Sequence, residues 1–120
     1  MARSVLRARK IAGLIKHSLV DVLMRDAGDA RLDKMSITSV NVTNDLGTAT
    51  VLYVTLRTED RKEIEQAIKK SNTFLRHLLA KRCNLRYVPR LFFKYDDSVE
   101  RGEHISRLIN SLPDTNNSEE

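Results

Sequence analysis

The chain has 120 residues, of which 41% are hydrophobic and 31% charged, and this composition predicts one globular domain with its own core. No apolar run approaches the roughly 18 residues of a membrane span, and the basic N-terminus lacks the apolar core expected of a secretory signal. The single cysteine, Cys83, excludes an internal disulfide framework and a cysteine-rich zinc site, and we expect a cytoplasmic protein with no membrane partner.

The net charge of +5 is unevenly distributed along the chain. Residues 1–26 carry six Lys or Arg against two Asp, and residues 61–90 carry nine against two Glu, whereas residues 96–120 carry two Arg against seven carboxylates. A basic body followed by an acidic end favours a polyanionic partner. A basic surface that merely confers solubility has the same composition, so charge alone leaves both interpretations open.

The first predicted element is an amphipathic helix over residues 4–25, where apolar residues recur at three- and four-residue steps. A β-branched strand follows over residues 35–43, and a change in its alternation predicts a bulge near Ser39. A turn at residues 44–47 and a second strand over 48–56 complete a predicted hairpin.

Two helical segments are predicted next, over residues 58–70 and 74–83, with Ser71, Asn72 and Thr73 between them. These three side chains can compete with the hydrogen bonds of a helical backbone, so they predict an interruption, or kink. The kink could present the neighbouring charges to a ligand, or it could be a purely structural bend in which Thr73 caps the second helix.

A third strand is predicted over residues 84–95, with Pro89 indicating an edge position or a bulge at that point. A terminal helix follows over residues 96–112, and residues 113–120 are predicted to be a disordered polar and acidic tail. The order α-β-β-α-(kink)-α-β-α indicates an α+β fold in which a three-stranded sheet carries helices on one face. The residues of the terminal helix that are predicted to face inward are Val99, Ile105, Leu108 and Ile109.

The residue pattern gives little support to catalysis. His17, His77 and His104 lie on three different predicted helices, without carboxylates or cysteine at metal-ligand spacing. No phosphate-binding loop, dinucleotide fingerprint or nucleophile elbow occurs in the sequence. We therefore predict a protein that is not an enzyme and has no cofactor or metal.

Nucleic-acid binding is favoured instead, because Lys and Arg crowd the predicted kink and the strand after it. A β-β-α-α-β order with a polar junction between paired helices is typical of KH domains, where that junction meets the nucleic-acid backbone. Phe92, between Arg90 and Lys94 on one strand face, could stack on a base or be an ordinary sheet aromatic. The candidate RNA-binding residues are Arg7, Arg9, Lys10, Lys69, Lys70, Asn72, Arg76, Lys81, Arg82 and Arg86.

Four segments together resemble the bacterial ribosome-binding factor A family. They are DARL (29–32), ITSVNVTNDLGTATVLYVTL (37–56), FLRHLLAKRCNLRYVPRLFFKYDDS (74–98) and ERGEHISRLI (100–109). The resemblance spans roughly residues 4–112 and implies a type II KH-like fold, with residues 1–112 as a single domain. It also implies a monomeric, non-enzymatic factor that binds the small (30S) ribosomal subunit and its 16S rRNA, with ribosomal proteins as further candidate partners.

Members of that family assist late maturation of the subunit and processing of the 16S rRNA 5′ end, and are tied to growth in the cold. The family usually carries an Ala-x-Gly pattern at the kink, which Ser71, Asn72 and Thr73 replace here. Because Thr73 does not permit the close backbone approach that Gly allows, we expect RNA affinity to come from Lys69, Lys70 and Arg76, and residues 71–73 to supply the bend that presents them. The alternative function is a protein-binding adaptor whose basic face meets acidic partners without contacting RNA.

Overall fold

The computed structural model describes residues 2–26 and 28–111 and has three α-helices and a three-stranded sheet in that part of the chain. Leu112 and the predicted tail, residues 113–120, lie outside the described residues. The elements are α1 (Ala2–Arg25), β1 (Met35–Val42), β2 (Thr48–Thr55), α2 (Arg61–Cys83), β3 (Arg90–Tyr95) and α3 (Ser98–Ser111), with short 3₁₀ turns at Ala30–Lys34 and Thr58–Asp60.

The sheet has the order β1-β2-β3, so β1 and β3 are its two edges. β1 and β2 form the predicted antiparallel hairpin, and β3 runs parallel to β2 because α2 carries the chain back across the sheet. The register passes from Ile37 opposite Tyr53 to Ser39 opposite Leu52, which leaves Thr38 as the extra residue of a bulge. The predicted hairpin, bulge and edge strand are all confirmed.

The core lies between one face of the sheet and the helices α1 and α2. Each helix buries a stripe of residues at three- and four-residue spacing, and β2 alternates buried and half-buried positions as a strand with one covered face does. Ile15 and Leu19 of α1 pack with Leu75 and Leu79 of α2, and all four are fully buried. Cys83 is also buried.

The predicted break inside the second helical region is wrong. A single helix, α2, runs through residues 71–73, because burial of Ile68 and Leu75 on either side stabilises helical backbone there. The Asn72 side chain does not compete with that backbone, since its Nδ2 donates instead to the carbonyl oxygen of Leu91 at 3.2 Å. Tertiary packing therefore overrides the local preference of the Ser-Asn-Thr sequence.

The third strand begins six residues later than predicted. α2 ends at Cys83, and the capping residue Asn84 has a left-handed backbone with φ of 51°, a conformation that Asn tolerates at helix ends. Residues 84–89 form a connecting segment, and strand pairing begins only at Arg90, whose N–H donates to the carbonyl of Gly47 at 2.9 Å.

The inward orientation predicted for the terminal helix is also wrong. No residue of α3 is buried, and its four large apolar side chains are 52–64% exposed. α3 starts directly after β3, and the inner face of the sheet is already covered by α1 and α2. The contacts at its beginning include a 2.8 Å hydrogen bond from the Tyr95 hydroxyl to Glu100 Oε1 and one from the Ser98 N–H to Asp96, which in turn accepts from Thr38 of β1.

Candidate nucleic-acid interface

A groove of about 520 Å³ lies between α2 and the free edge of β3, and we call it the α2–β3 groove. Three of its side chains form an aromatic cluster, in which the Tyr53 ring meets Phe93 and Tyr95 edge-to-face at centroid distances of 6.4 and 5.8 Å. The groove is lined by Tyr53, Arg61, Glu65, Ile68, Lys69, Asn72, Leu91, Phe92, Phe93, Lys94 and Tyr95.

The charge at this groove is predominantly positive. The Arg61 guanidinium carbon lies 3.9 Å from the centroid of the Tyr95 ring, a close cation–π contact. Lys69 and Lys94 add two exposed ammonium groups, and Lys69 Nζ lies 3.8 Å from Glu65 Oε1, an exposed pair that solvent screens strongly. Tyr53 is 2% exposed and belongs to the core, so the rings open to a ligand are the exposed Phe92 and the half-buried Phe93 and Tyr95. Three cations and one carboxylate beside these rings suit a ligand that is both anionic and flat-faced, as nucleic acid is.

Lys70 lies beside another part of the molecule. The Asp29 carboxylate there accepts hydrogen bonds from the side chain and backbone of Arg31, which are the main cause of its lowered pKa, and the charge of Lys70 makes a smaller contribution in the same direction. Together these contacts lower the pKa of Asp29 to about 2. The two neighbouring lysines of α2 therefore serve different surroundings: Lys69 borders the groove, and Lys70 lies toward the segment that precedes β1.

Two arginines from the predicted set have partners inside the protein. Arg76 Nη2 donates to the carbonyl of Val88 at 2.9 Å and so anchors the segment between α2 and β3. Arg82 bridges Asp21 and Asp26, which ties the end of α2 to α1, and the hydrogen bond to Asp26 is the main cause that raises the pKa of Arg82. Both side chains therefore stabilise the fold where they stand.

The three cations predicted on α1 do not join the α2–β3 groove. Arg7, Arg9 and Lys10 are exposed, and Arg9 lines a second groove of about 400 Å³ between α1 and β1. Lys16 lines the same groove and donates from Nζ to the carbonyl of Thr38 at 3.3 Å. Because β1 and β3 are opposite edges of the sheet, the predicted RNA-binding set is divided between two regions.

The remaining predicted cations, Lys81 and Arg86, lie near the C-terminal end of α2 and are exposed. The guanidinium of Arg86 lies 5.8 Å from the ring centroid of Tyr87, which is 79% exposed. An exposed arginine beside an exposed aromatic ring can both neutralise a phosphate and offer a stacking surface.

Sequence reasoning missed three important members of the groove, namely Arg61, Tyr53 and Tyr95. The alternation of β3 places Phe93 and Tyr95 on one face, and this signal could have identified half of the aromatic cluster. The approach of Arg61 to Tyr95 depends on how α2 packs against the sheet, and no local pattern contains that information.

Neither a metal centre nor a membrane-spanning helix occurs in the part of the chain that the structure describes. Among residues 2–26 and 28–111, no three His, Cys, Asp or Glu side chains gather closely enough to hold a metal ion. Across the same residues, every helix is too short or too polar to cross a membrane.

A mixed three-stranded sheet, covered on one face by two helices and bordered by a cationic groove, is the arrangement of the KH-like class. A family model described as ribosome-binding factor A matches residues 7–109. The chain is also 44% identical over 103 residues to the ribosome-binding factor A of Coxiella burnetii (strain Dugway 5J108-111), which covers 86% of this chain and 87% of that protein. The chain therefore belongs to the ribosome-binding factor A family, as its sequence motifs predict.

Structural comparison supports the same fold. The crystal structure of ribosome-binding factor A from Thermus thermophilus aligns with a TM-score of 0.63 at 23% identity, over 73% of this chain and 94% of that one. Coordinates of the Thermus thermophilus ribosome binding factor A fitted into a cryo-EM map of its 30S complex align with a TM-score of 0.60 at 24% identity, over 70% and 89%. At these identities the likeness concerns the fold, and the predicted KH-like fold is confirmed.

Proposed function

We propose that this protein is a non-catalytic assembly factor that binds the small ribosomal subunit in the cytoplasm. In this role it assists late maturation of the subunit and processing of the 16S rRNA 5′ end. Membership of the ribosome-binding factor A family supports the proposal, as does the likeness to a Thermus thermophilus protein that was fitted into a map of its 30S complex.

The observation that carries the RNA contact is the α2–β3 groove itself. Its cations, Arg61, Lys69 and Lys94, stand beside aromatic rings at the free edge of the sheet. Cations neutralise phosphates and release counterions, whereas aromatic rings contact bases or sugars in a way that tolerates sequence. We assign the principal rRNA contact to this groove and, outside it, to Lys70, which follows Lys69 on α2.

The other predicted cations divide into two groups. Arg7, Arg9 and Lys10 form a separate basic region on α1, which we propose as a secondary rRNA contact. Arg76 donates from Nη2 to the Val88 carbonyl, although its buried Nε has no partner among the described residues, and Arg82 pairs with Asp21 and Asp26. Their contribution to RNA binding is therefore indirect, through the shape of α2 and the segment after it.

The test is binding of purified small subunits at several salt concentrations by the double variant Lys69→Glu, Lys70→Glu. We expect the variant to bind about tenfold more weakly or worse, and the plot of log affinity against log salt to flatten by roughly one unit for each phosphate that is no longer neutralised. Both side chains are exposed on α2, so the thermal unfolding temperature should be unchanged.

A matched control is the double variant Arg101→Glu, Arg107→Glu on α3, which changes the net charge by the same amount. Both arginines are exposed and form i,i+4 pairs with acidic neighbours, as Lys69 does. Equal loss of binding in both double variants would mean that net charge matters and the groove does not. Unchanged binding by the α2 double variant would reject the proposed contact and favour an adaptor that meets acidic proteins.

A further inference from the structure

The face of the sheet that points away from α1 and α2 carries its own chemical pattern. The register places Asn41, Thr50 and Phe92 side by side across the three strands, and Ser39, Leu52 and Lys94 in the next row. Residues opposite one another on paired strands share a face. Since Val40, Val51 and Phe93 belong to the core side, these two rows belong to the opposite face, which we call the outer face.

Phe92 is the large aromatic residue at the β3 edge of the outer face, and it is 49% exposed. The Arg90 guanidinium carbon lies 5.7 Å from its ring centroid. Lys94 projects from the same face two residues further along, so Phe92 stands between two cations that are four strand residues, or roughly 13 Å, apart.

No acidic residue occupies the strand positions of the outer face, from Ser36 to Asn41 on β1, from Thr48 to Val54 on β2 and from Arg90 to Lys94 on β3. The carboxylates nearest in the chain stand at opposite ends of the sheet and have partners there. Asp96 accepts a 2.7 Å hydrogen bond from the Thr38 hydroxyl, and Asp45 accepts one of the same length from the Thr43 hydroxyl. The middle of the outer face therefore combines an exposed ring with the two cations Arg90 and Lys94, and the carboxylate of Asp96 lies at its end, next to the row of Lys94.

We propose that the outer face is a stacking platform for single-stranded RNA, in which Phe92 stacks on one base while Arg90 and Lys94 neutralise the phosphates on either side. The ligand class rests on the RNA-binding function proposed above, and the site lies on the outer face, which shares Phe92 and Lys94 with the lining of the α2–β3 groove. A base in a duplex already has its faces covered by its neighbours, whereas an unpaired base can be splayed onto an aromatic ring.

The position of Phe92 also connects the two surfaces. Phe92 and Lys94 border the α2–β3 groove where it meets the free edge of β3. A single RNA strand that leaves the groove can therefore cross this edge and reach the outer face without leaving positively charged surface. The connection gives the protein a means to hold an unpaired rRNA segment along more than one nucleotide.

The test compares Phe92→Leu with Phe74→Leu by fluorescence anisotropy, with a labelled single-stranded oligouridylate of about ten nucleotides and with a labelled RNA duplex. Phe74 is a close control because it is 47% exposed but lies on α2. Leucine keeps an apolar side chain at both positions and removes only the ring. We expect Phe92→Leu to weaken single-strand binding by roughly five- to one-hundredfold, duplex binding to change less than about twofold, and Phe74→Leu to change neither.

Three results would overturn the platform. If Phe92→Leu and Phe74→Leu weaken oligouridylate binding equally, Phe92 has no special role. If Phe92→Leu weakens binding of the single strand and of the duplex equally, base stacking is not the cause of the loss. If the unaltered protein does not bind the oligouridylate, single-stranded RNA is not its ligand. None of these results depends on the Lys69→Glu, Lys70→Glu experiment with small subunits, so the platform and the proposed function can fail separately.

Discussion

Helices α2 and α3 have the same kind of amphipathic sequence pattern, but only α2 is buried in the fold. Both carry apolar residues at three- and four-residue steps, yet α2 buries six residues and α3 buries none. α2 crosses back over the sheet and meets α1, both 3₁₀ turns and β3, whereas α3 begins at the end of the last strand, after the inner face has been covered. Amphipathic periodicity thus predicts a helix, but burial also requires a complementary face that is still free.

The largest expected difference between the two helices comes from matched leucines. Leu79 on α2 is fully buried, and Leu108 on α3 is 52% exposed. We expect Leu79→Ala to lower the free energy of unfolding by about 2–5 kcal/mol, because it removes buried methyl groups and leaves a cavity. Leu108→Ala should change it by less than about 0.5 kcal/mol. Urea unfolding measures both, and a large cost for Leu108→Ala would mean that α3 packs against the domain in solution.

The next largest effect is expected at Arg76. The sequence predicts that it contacts phosphate, but in the structure it holds the segment between α2 and β3 through Val88. Arg76→Ala removes the hydrogen bond to the Val88 carbonyl and the packing of the side-chain stem, so we expect a loss of about 1–3 kcal/mol in the free energy of unfolding. Arg76→Lys keeps the charge but not the planar hydrogen-bonding group.

Both Arg76 variants should bind small subunits with an unaltered dependence on salt, when compared at equal folded fraction. A different result would make Arg76 a direct phosphate ligand: Arg76→Ala leaves the free energy of unfolding unchanged and weakens binding to small subunits, and Arg76→Lys restores that binding.

A smaller effect should distinguish α1 from α3 through their glycines. A Cβ added at Gly13 or Gly102 meets nothing within 4 Å, so alanine fits both positions. Gly13→Ala should raise the global free energy of unfolding by about 0.5–1 kcal/mol, because alanine favours helix and α1 is part of the core. Gly102→Ala should slow amide exchange within α3 and leave global unfolding unchanged. A global gain from Gly102→Ala would contradict the isolation of α3.

The smallest effect should come from Asp96, which joins the bulge of β1 to the start of α3. The Thr38 hydroxyl and Ser98 donate hydrogen bonds to this carboxylate and lower its pKa from 3.8 to about 2. The lowered pKa means that the folded state favours the charged form, so this stabilisation is present above pH 4 and is lost as the pH falls toward 2. Exposure to solvent keeps the effect small.

Unfolding midpoints measured between pH 2 and pH 5 should therefore show a weaker pH dependence in Asp96→Asn than in the unaltered protein. Asp97→Asn removes the same charge without touching Thr38 or Ser98, and it should keep the original dependence. Identical pH profiles for Asp96→Asn and the unaltered protein would show that the Thr38 contact does not stabilise the folded state.

The sequence predicts those parts of the fold that depend on short-range patterns. The change of alternation around Ser39 locates the β1 bulge to within one residue, and Pro89 correctly indicates an edge strand. The continuity of α2 was not predictable in this way, because residues 71–73 favour interruption locally while Ile68 and Leu75 are held by tertiary contacts.

The sequence predicts the positive charge of the candidate site, but it does not predict which basic side chains face solvent or which aromatic rings meet there. A count of basic residues treats Lys69 and Arg76 alike, but the planar guanidinium of Arg76 reaches a backbone carbonyl while Lys69 remains exposed. The aromatic side of the groove depends on Tyr53, which lies about forty residues from Tyr95 in the chain and touches it only because β2 and β3 are neighbours.

The hydrogen bond from Asn72 to Leu91 bears on whether two copies of the protein can associate through the edge of β3. β3 is an edge strand, and an unpaired edge is a template on which another chain can add a strand and begin aggregation. Here the Asn72 amide donates to the carbonyl of Leu91, which points away from β2. Pro89, just before the strand, has no N–H to donate, and Lys94 adds a charge to the edge. Asn72, whose side chain disfavours helix locally, thus removes one of the backbone groups through which a neighbouring copy could pair with this edge.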